Sequence, residues 1–77
     1  MELYWVSLLI QDSETSKPWL CAMTDGCVSI EGAMALIEKG RKNYRVLSAW
    51  VDTFDKENHK TTVFHECYID VLGNIMR

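Results

Sequence analysis

One segment near the middle of the chain has the hydrophobic period of an amphipathic α-helix, and it constrains the fold more than any other feature. Ser29 is a favourable N-cap, Glu31 lies in the first turn, and Gly40 predicts the C-terminal stop. The apolar residues between them recur at i, i+3, i+4 and i+7, which places them on one helical face. They are Ile30, Ala33, Met34 and Ile37. Because no other segment has this period, we expect strands to supply the rest of the core.

The other apolar segments alternate with a period of two residues, which is typical of β-strands. They cover residues 3–11, 19–24, 44–54 and 61–71, separated by polar or turn-forming stretches. The predicted order is β-β-α-β-β. We therefore expect an α+β fold in which one helix packs on one face of a four-stranded, mainly antiparallel sheet. Residues 1–77 are expected to form a single domain.

The length of the chain predicts a thin core. A domain of 77 residues buries only about 60% of the surface that its unfolded form exposes. The composition compensates in part, because 48% of the residues are hydrophobic and they include three Trp, three Tyr and two Phe. Such a core still supplies only a few kcal/mol of net stability, which makes self-association a natural supplement.

The formal net charge is −3, from 8 basic and 11 acidic residues without a run of like charges. Nucleic-acid binding depends largely on Lys and Arg side chains that meet phosphates, and anionic membrane surfaces attract the same residues. We therefore expect neither a nucleic acid nor a membrane as a partner. The sequence has no glycine-rich phosphate loop and no nucleophile elbow, and no cofactor is predicted.

Three cysteines, Cys21, Cys27 and Cys67, are an odd number, which argues against a disulfide framework. No positively charged region precedes the first apolar run and no small-residue cleavage site follows it, so no signal peptide is predicted. This run, residues 3–10, is also too short to span a bilayer. We expect free thiols in a reducing cytoplasm. The small size and the lack of motifs are typical of prokaryotic or phage proteins, and no function follows from them.

The sheet face opposite the helix has the most informative pattern. One helix covers only one face, and the solvent-exposed face of an antiparallel sheet is normally polar. Here we expect that face to carry five aromatic side chains: Trp5, Trp50, Phe54, Phe64 and Tyr68. A large apolar patch on a soluble protein usually marks a contact site. We therefore predict an interaction face that binds a second copy of the chain, as a homodimer, or another protein partner.

The alternative explanation of these aromatic residues is purely structural. Aromatic side chains are frequent in strands because they pack well across a pleated ladder. Long neighbouring side chains or the C-terminal tail would then cover them, and no partner would be needed.

The strongest candidates for a metal site or a reactive site are three adjacent residues, His65, Glu66 and Cys67. Structural zinc needs four ligands in paired spacing, and no second pair exists here, so no metal site is predicted. A Cys–His nucleophile pair needs hydrogen-bond contact, and we expect Cβ atoms about 7 Å apart on one strand to be too far apart for it. No catalytic residue is predicted. A small-ligand or enzymatic cleft near His65 and Cys67 remains the alternative function.

Two further functions share features with this sequence. Single-stranded RNA platforms also use an aromatic sheet face, but the RNP pattern is absent and the net charge has the wrong sign. An inhibitor that blocks a larger nucleic-acid enzyme fits the small size and the mild acidity. The sequence favours a small, non-catalytic protein-interaction module over these alternatives.

Overall fold

A computed structural model of the chain describes residues 3–12, 17–22 and 26–75. Its strands and helix follow the predicted order β-β-α-β-β. They are β1 (Trp5–Gln11), β2 (Trp19–Ala22), α1 (Ile30–Asn43), β3 (Arg45–Phe54) and β4 (Lys60–Cys67). The predicted end of the second strand, residues 23 and 24, lies outside the described residues, as does the end of the C-terminal tail.

The four strands form one sheet in the order β2-β1-β3-β4, and every neighbouring pair is antiparallel. Strands β1 and β3 are therefore central, and β2 and β4 are the edges. Helix α1 packs against the two central strands. This arrangement confirms the predicted α+β fold, in which one helix lies on one face of a four-stranded sheet.

The core lies between α1 and the two central strands. On β1, Val6, Leu8 and Ile10 alternate with less buried residues, and each is at most 2% exposed. The helix contributes Ala33 and Ile37, both fully buried. Strand β3 adds Val46, Ala49 and Val51 to the same cluster. Because burial of apolar surface stabilises a fold by about 25 cal/mol per Å², this contact is the main source of stability.

Helix α1 begins where the sequence predicts and ends later. The Ser29 hydroxyl oxygen accepts a hydrogen bond from the Gly32 backbone N–H at 3.1 Å, as an N-cap does. The prediction that Gly40 ends the helix is wrong, because the helix continues to Asn43. Gly40 is instead buried against β1, where a Cβ atom would lie 2.7 Å from Leu8 Cδ1. This glycine therefore permits the close approach of the helix to the sheet.

Strand β4 ends at Cys67, earlier than predicted. Beyond it, the Asp70 carboxylate accepts hydrogen bonds from the backbone N–H groups of Leu72 and Asn74, both at 2.9 Å. Gly73, in the same turn, has a φ of 82°, a left-handed conformation that favours glycine. An Asp side chain that satisfies nearby backbone donors stabilises a turn, so the chain folds back here.

Candidate functional site: the open face of the sheet

We call the sheet surface that faces away from α1 the open face. Because side chains alternate along a strand, the β1 residues between the buried positions point to it. The register then adds the residues that pair with them on the other strands. The open face includes Trp5, Ser7, Leu9, Leu20, Ala22, Ser48, Trp50, Asp52, Phe54, Lys60, Thr62, His65 and Cys67.

A β-bulge in β4 decides which of its side chains reach the open face. Thr62 pairs across the ladder with Asp52. Phe64 pairs with Val51, which is next to Asp52 in β3. Val63 therefore has no ladder partner and is an extra residue. Because the extra residue reverses the alternation, the even-numbered residues beyond it turn to the helix side. The odd-numbered ones turn to the open face.

The bulge corrects two of the five aromatic positions predicted for the interaction face. Phe64 packs against the core cluster on the helix side. Tyr68 is 4% exposed and belongs to the same cluster. The prediction for these two residues was wrong because it carried one alternation through all of β4. Trp5, Trp50 and Phe54 lie on the open face, and their role in binding stays a prediction.

Tyr68 is held in place by a backbone hydrogen bond, by Arg41 and by a side-chain hydrogen bond with Glu66. Its backbone N–H donates a hydrogen bond to the Leu47 carbonyl at 2.8 Å. The Arg41 guanidinium carbon lies 3.9 Å from the ring centroid, within the range of a cation–π contact. Burial raises the pKa of the Tyr68 phenol above its ordinary value of 10.0, and the Glu66 carboxylate raises the pKa further. These contacts fix the end of β4, and with it the position of Cys67.

An aromatic pair occupies one end of the open face. The rings of Trp5 and Phe54 have centroids 6.5 Å apart and planes inclined at 79°. This edge-to-face geometry is favoured because the positive edge of one ring meets the negative face of the other. Phe54 is 45% exposed, so the pair presents apolar area at the surface.

A second ring pair lies across β3 and β4. Trp50 stacks on His65 with centroids 4.8 Å apart and planes within 6° of parallel. These residues are direct cross-strand partners, and such pairs are the units that stabilise a sheet. The stack holds the imidazole flat on the indole and so limits the directions in which its nitrogens point.

Cys67 lies beside this stack and contacts two polar side chains. Its Sγ is 3.8 Å from His65 Nε2, and the Ser48 hydroxyl donates a hydrogen bond to the same sulfur at 3.4 Å. The expectation that His65 and Cys67 lie too far apart for contact is therefore wrong. That expectation used the Cβ spacing alone, whereas the length of the His65 side chain brings Nε2 within reach of the sulfur. Sequence reasoning misses Ser48, because its place beside Cys67 depends on the register between β3 and β4.

Asp52 gives the open face a carboxylate that is only 8% exposed. The Thr62 hydroxyl donates a hydrogen bond to Asp52 Oδ1 at 2.6 Å, which partly satisfies the buried group. A shallow depression of about 320 Å³ lies beside it. Its walls are Ser7, Leu20, Trp50, Asp52, Lys60 and Thr62. The depression therefore combines apolar area with one carboxylate and one ammonium group.

Two further observations concern metal-binding groups and membrane-spanning helices in the described part of the chain. Within residues 3–12, 17–22 and 26–75, no three His, Cys, Asp or Glu side chains are grouped so that they could hold a metal ion. Over the same residues, no helix has the length and apolar character needed to cross a membrane. All three cysteines are free, and Cys67 is the exposed one.

No protein-family model matches the chain, and neither a curated protein nor a solved structure matches it at a significant level. Its function therefore has to be inferred from the open face itself.

Proposed function

We propose that the chain is a small, non-catalytic interaction module that pairs with a second copy of itself through the open face. The observation that supports this proposal is the position of two ring pairs, Trp5–Phe54 and Trp50–His65, on the face opposite to α1. A sheet with apolar residues on a face normally buries that face against another layer. None of the described elements supplies this layer.

The dimensions of the open face can be compared with those of a standard dimer interface. Four strands spaced about 4.8 Å apart, with a rise of about 3.3 Å per residue, give a face of roughly 20 by 25 Å. This projection is about 500 Å², side chains make the accessible area larger, and a standard interface buries roughly 800 Å² per partner. Because the core on the helix side is thin, burial of a second face adds stability that one copy lacks.

Twofold pairing requires a patch that is complementary to itself. The open face carries groups of both signs of charge, the carboxylate of Asp52 and the ammonium group of Lys60, which favours self-complementarity. The aromatic pairs supply apolar area, and Ser7 and Thr62 supply hydroxyl groups. A mixture of aromatic and polar groups with few charges is typical of the central part of an interface.

Other occupants of the open face are distinguishable from a second copy. A different protein, including a larger enzyme that the chain would inhibit, would leave the isolated chain monomeric. The net charge of −3 disfavours a nucleic acid. Three free thiols favour a reducing compartment such as the cytoplasm as the place where the module works.

The solution mass of the wild type and of two lysine variants tests the pairing. Light scattering behind size exclusion should give about twice the chain mass of 8.9 kDa for the wild type at high concentration. Trp50→Lys places a charge in the open face and should give the monomer mass. Tyr44→Lys is the matched control, because Tyr44 is 58% exposed and lies outside the open face, so this variant should remain a dimer.

Circular dichroism has to show that both variants are folded. A wild type that stays monomeric at its highest soluble concentration contradicts the proposal. So does a folded Trp50→Lys variant that still has the dimer mass.

A further inference from the structure

We infer that Cys67 is a modifiable thiol, which hydroperoxides oxidise to a sulfenic acid with His65 and Ser48 as positioning partners. This inference narrows the idea of a reactive site near His65 and Cys67 to one reaction. It does not depend on the proposed pairing, because it concerns the unpaired chain, in which Cys67 is exposed.

The three cysteines differ in their access to solvent. Cys67 is exposed, whereas Cys21 and Cys27 are half-buried and pack against the core cluster. Oxidation of a thiol by a dissolved peroxide requires both access and thiolate character. The chain therefore contains one candidate thiol and two internal controls for the same measurement.

His65 is placed to accept the proton of the Cys67 thiol. The distance from Nε2 to Sγ is 3.8 Å, within the range of hydrogen bonds that involve sulfur. The stack on Trp50 fixes the plane of the imidazole at a centroid distance of 4.8 Å. An indole face attracts a cation, so the ring remains well placed once the proton has moved to it.

Ser48 supplies the second partner from the neighbouring strand. Its residue is only 6% exposed, and its hydroxyl donates a hydrogen bond to the Cys67 sulfur at 3.4 Å. A hydrogen bond to an ionised acceptor is stronger than one to a neutral acceptor. The contact therefore strengthens when the thiol loses its proton.

The reaction balances with a hydroperoxide as the oxidant. The Cys67 thiol proton moves to His65 Nε2, and the sulfur attacks the terminal oxygen of the peroxide. An S–O bond forms while the O–O bond breaks, and the leaving oxyanion takes the proton from Nε2. The sulfur is oxidised by two electrons and the peroxide is reduced to an alcohol, or to water when it is hydrogen peroxide.

Trapping of the sulfenic acid tests this inference on the reduced full chain. Hydrogen peroxide is added with dimedone, which captures sulfenic acids, and peptide mass spectrometry follows each cysteine at low protein concentration. Cys67 should be labelled roughly tenfold faster than Cys21 or Cys27. His65→Phe keeps an aromatic ring against Trp50 and removes Nε2, so the Cys67 rate should fall roughly tenfold.

Ser48 provides a second pair of variants. Ser48→Thr retains the hydroxyl and should keep most of the rate, whereas Ser48→Ala should lose roughly threefold. Unchanged labelling of Cys21 and Cys27 shows that a variant is folded. If His65→Phe does not fold, the comparison of Ser48→Ala with Ser48→Thr tests the inference instead. Equal Cys67 rates in the wild type and the folded variants would mean that exposure alone sets reactivity, and this result overturns the inference. The mass measurement on Trp50→Lys is separate, so failure of either proposal is recognised by itself.

Discussion

Tyr68 joins the end of β4 to the helix side of the molecule through burial and charge. Its ring is 4% exposed, and the Arg41 guanidinium carbon lies 3.9 Å from the ring centroid. Glu66 also interacts with the phenol. Because Cys67 immediately precedes Tyr68, this anchor also sets where the thiol lies relative to Ser48 and His65.

The raised pKa of Tyr68 predicts a loss of stability at high pH. The folded chain holds the phenol proton more tightly than the unfolded chain does, where the pKa is 10.0. The contribution of Tyr68 is therefore fully present below pH 10.0 and is lost as the pH rises through the folded pKa. Urea unfolding should show a steeper loss of free energy above this pH for the wild type than for Tyr68→Phe.

Tyr44→Phe is the matched control for this pH series. It removes a hydroxyl group from a side chain that is 58% exposed, so it controls for the substitution itself. If Tyr68→Phe and the wild type lose stability with the same slope, the burial of Tyr68 is not the source of the pH dependence.

Single residues could be placed from the sequence only where a strand runs without interruption. On β1 and on the C-terminal part of β3, alternation is enough to place Trp5, Trp50 and Phe54 on the face away from the helix. Phe64 and Tyr68 were misplaced because Val63 is an extra residue. No glycine or proline marks this position, so the sequence carries no signal for the bulge. The contact of Cys67 with Ser48 depends on the same register, and no local pattern reveals it.

At the scale of the elements, two bulges shape the sheet. One leaves Val63 unpaired in β4, and the other lies in β3, where Val46 and Ser48 pair with consecutive residues of β1. The β3 bulge explains why Val46 is buried in the core although its even position predicts the other face. Bulges bend a strand and increase its twist, which suits edges and the ends of a sheet.

Deletion of Val63 tests the bulge in β4 directly. Without this residue, Thr62 and Phe64 become neighbours in the chain. Because their partners Asp52 and Val51 are also neighbours, the ladder between β3 and β4 becomes regular. All later side chains keep their faces, so the free energy of unfolding should change by no more than about 1 kcal/mol. Urea denaturation measures this change.

Deletion of Glu66 is the matched control. It removes an exposed residue of the same strand, but it reverses the alternation beyond it and turns Tyr68 out of the core. Loss of a buried aromatic contact should cost about 3 kcal/mol or more. Equal destabilisation by the two deletions would contradict the bulge at Val63.

For helix α1, the sequence places the N-terminus well because a cap is a local interaction. The C-terminus is different, since Gly40 fits a stop signal and a close helix–sheet contact equally well in sequence. Only the packing of Leu8 shows that contact to be its role. The end of β4 is a second case of this kind. Periodicity alone predicts that the strand continues, whereas hydrogen bonds to the Asp70 side chain form a turn there.

At the scale of the whole molecule, the fold class follows from the number and order of the elements. One helix and four strands have few stable arrangements, and a helix on one face of a sheet is the simplest. The same count predicts that one sheet face lacks a covering layer. What covers that face does not follow from periodicity, because it depends on a surface and its partner rather than on one chain's pattern.

Pairing of two open faces would produce four layers, with the helices outside and the two sheets in contact. Sheets pack about 10 Å apart, with side chains from both inner faces interdigitating. Trp50 would then be shielded from water, while Cys67 would stay near the rim because β4 is an edge strand. This arrangement would give a chain of 77 residues a second apolar core.

The three tryptophan side chains allow the most direct measurement of this arrangement. Trp5 and Trp50 lie on the open face, whereas Trp19 pairs with Ile10 and lies on the helix side of β2. Two-dimensional NMR of the indole N–H groups, recorded over a dilution series of the wild type, follows all three in one sample. Pairing through the open face predicts that the Trp5 and Trp50 signals move with concentration while the Trp19 signal stays in place. Movement of Trp19 alone, or no movement of any of the three, would contradict it.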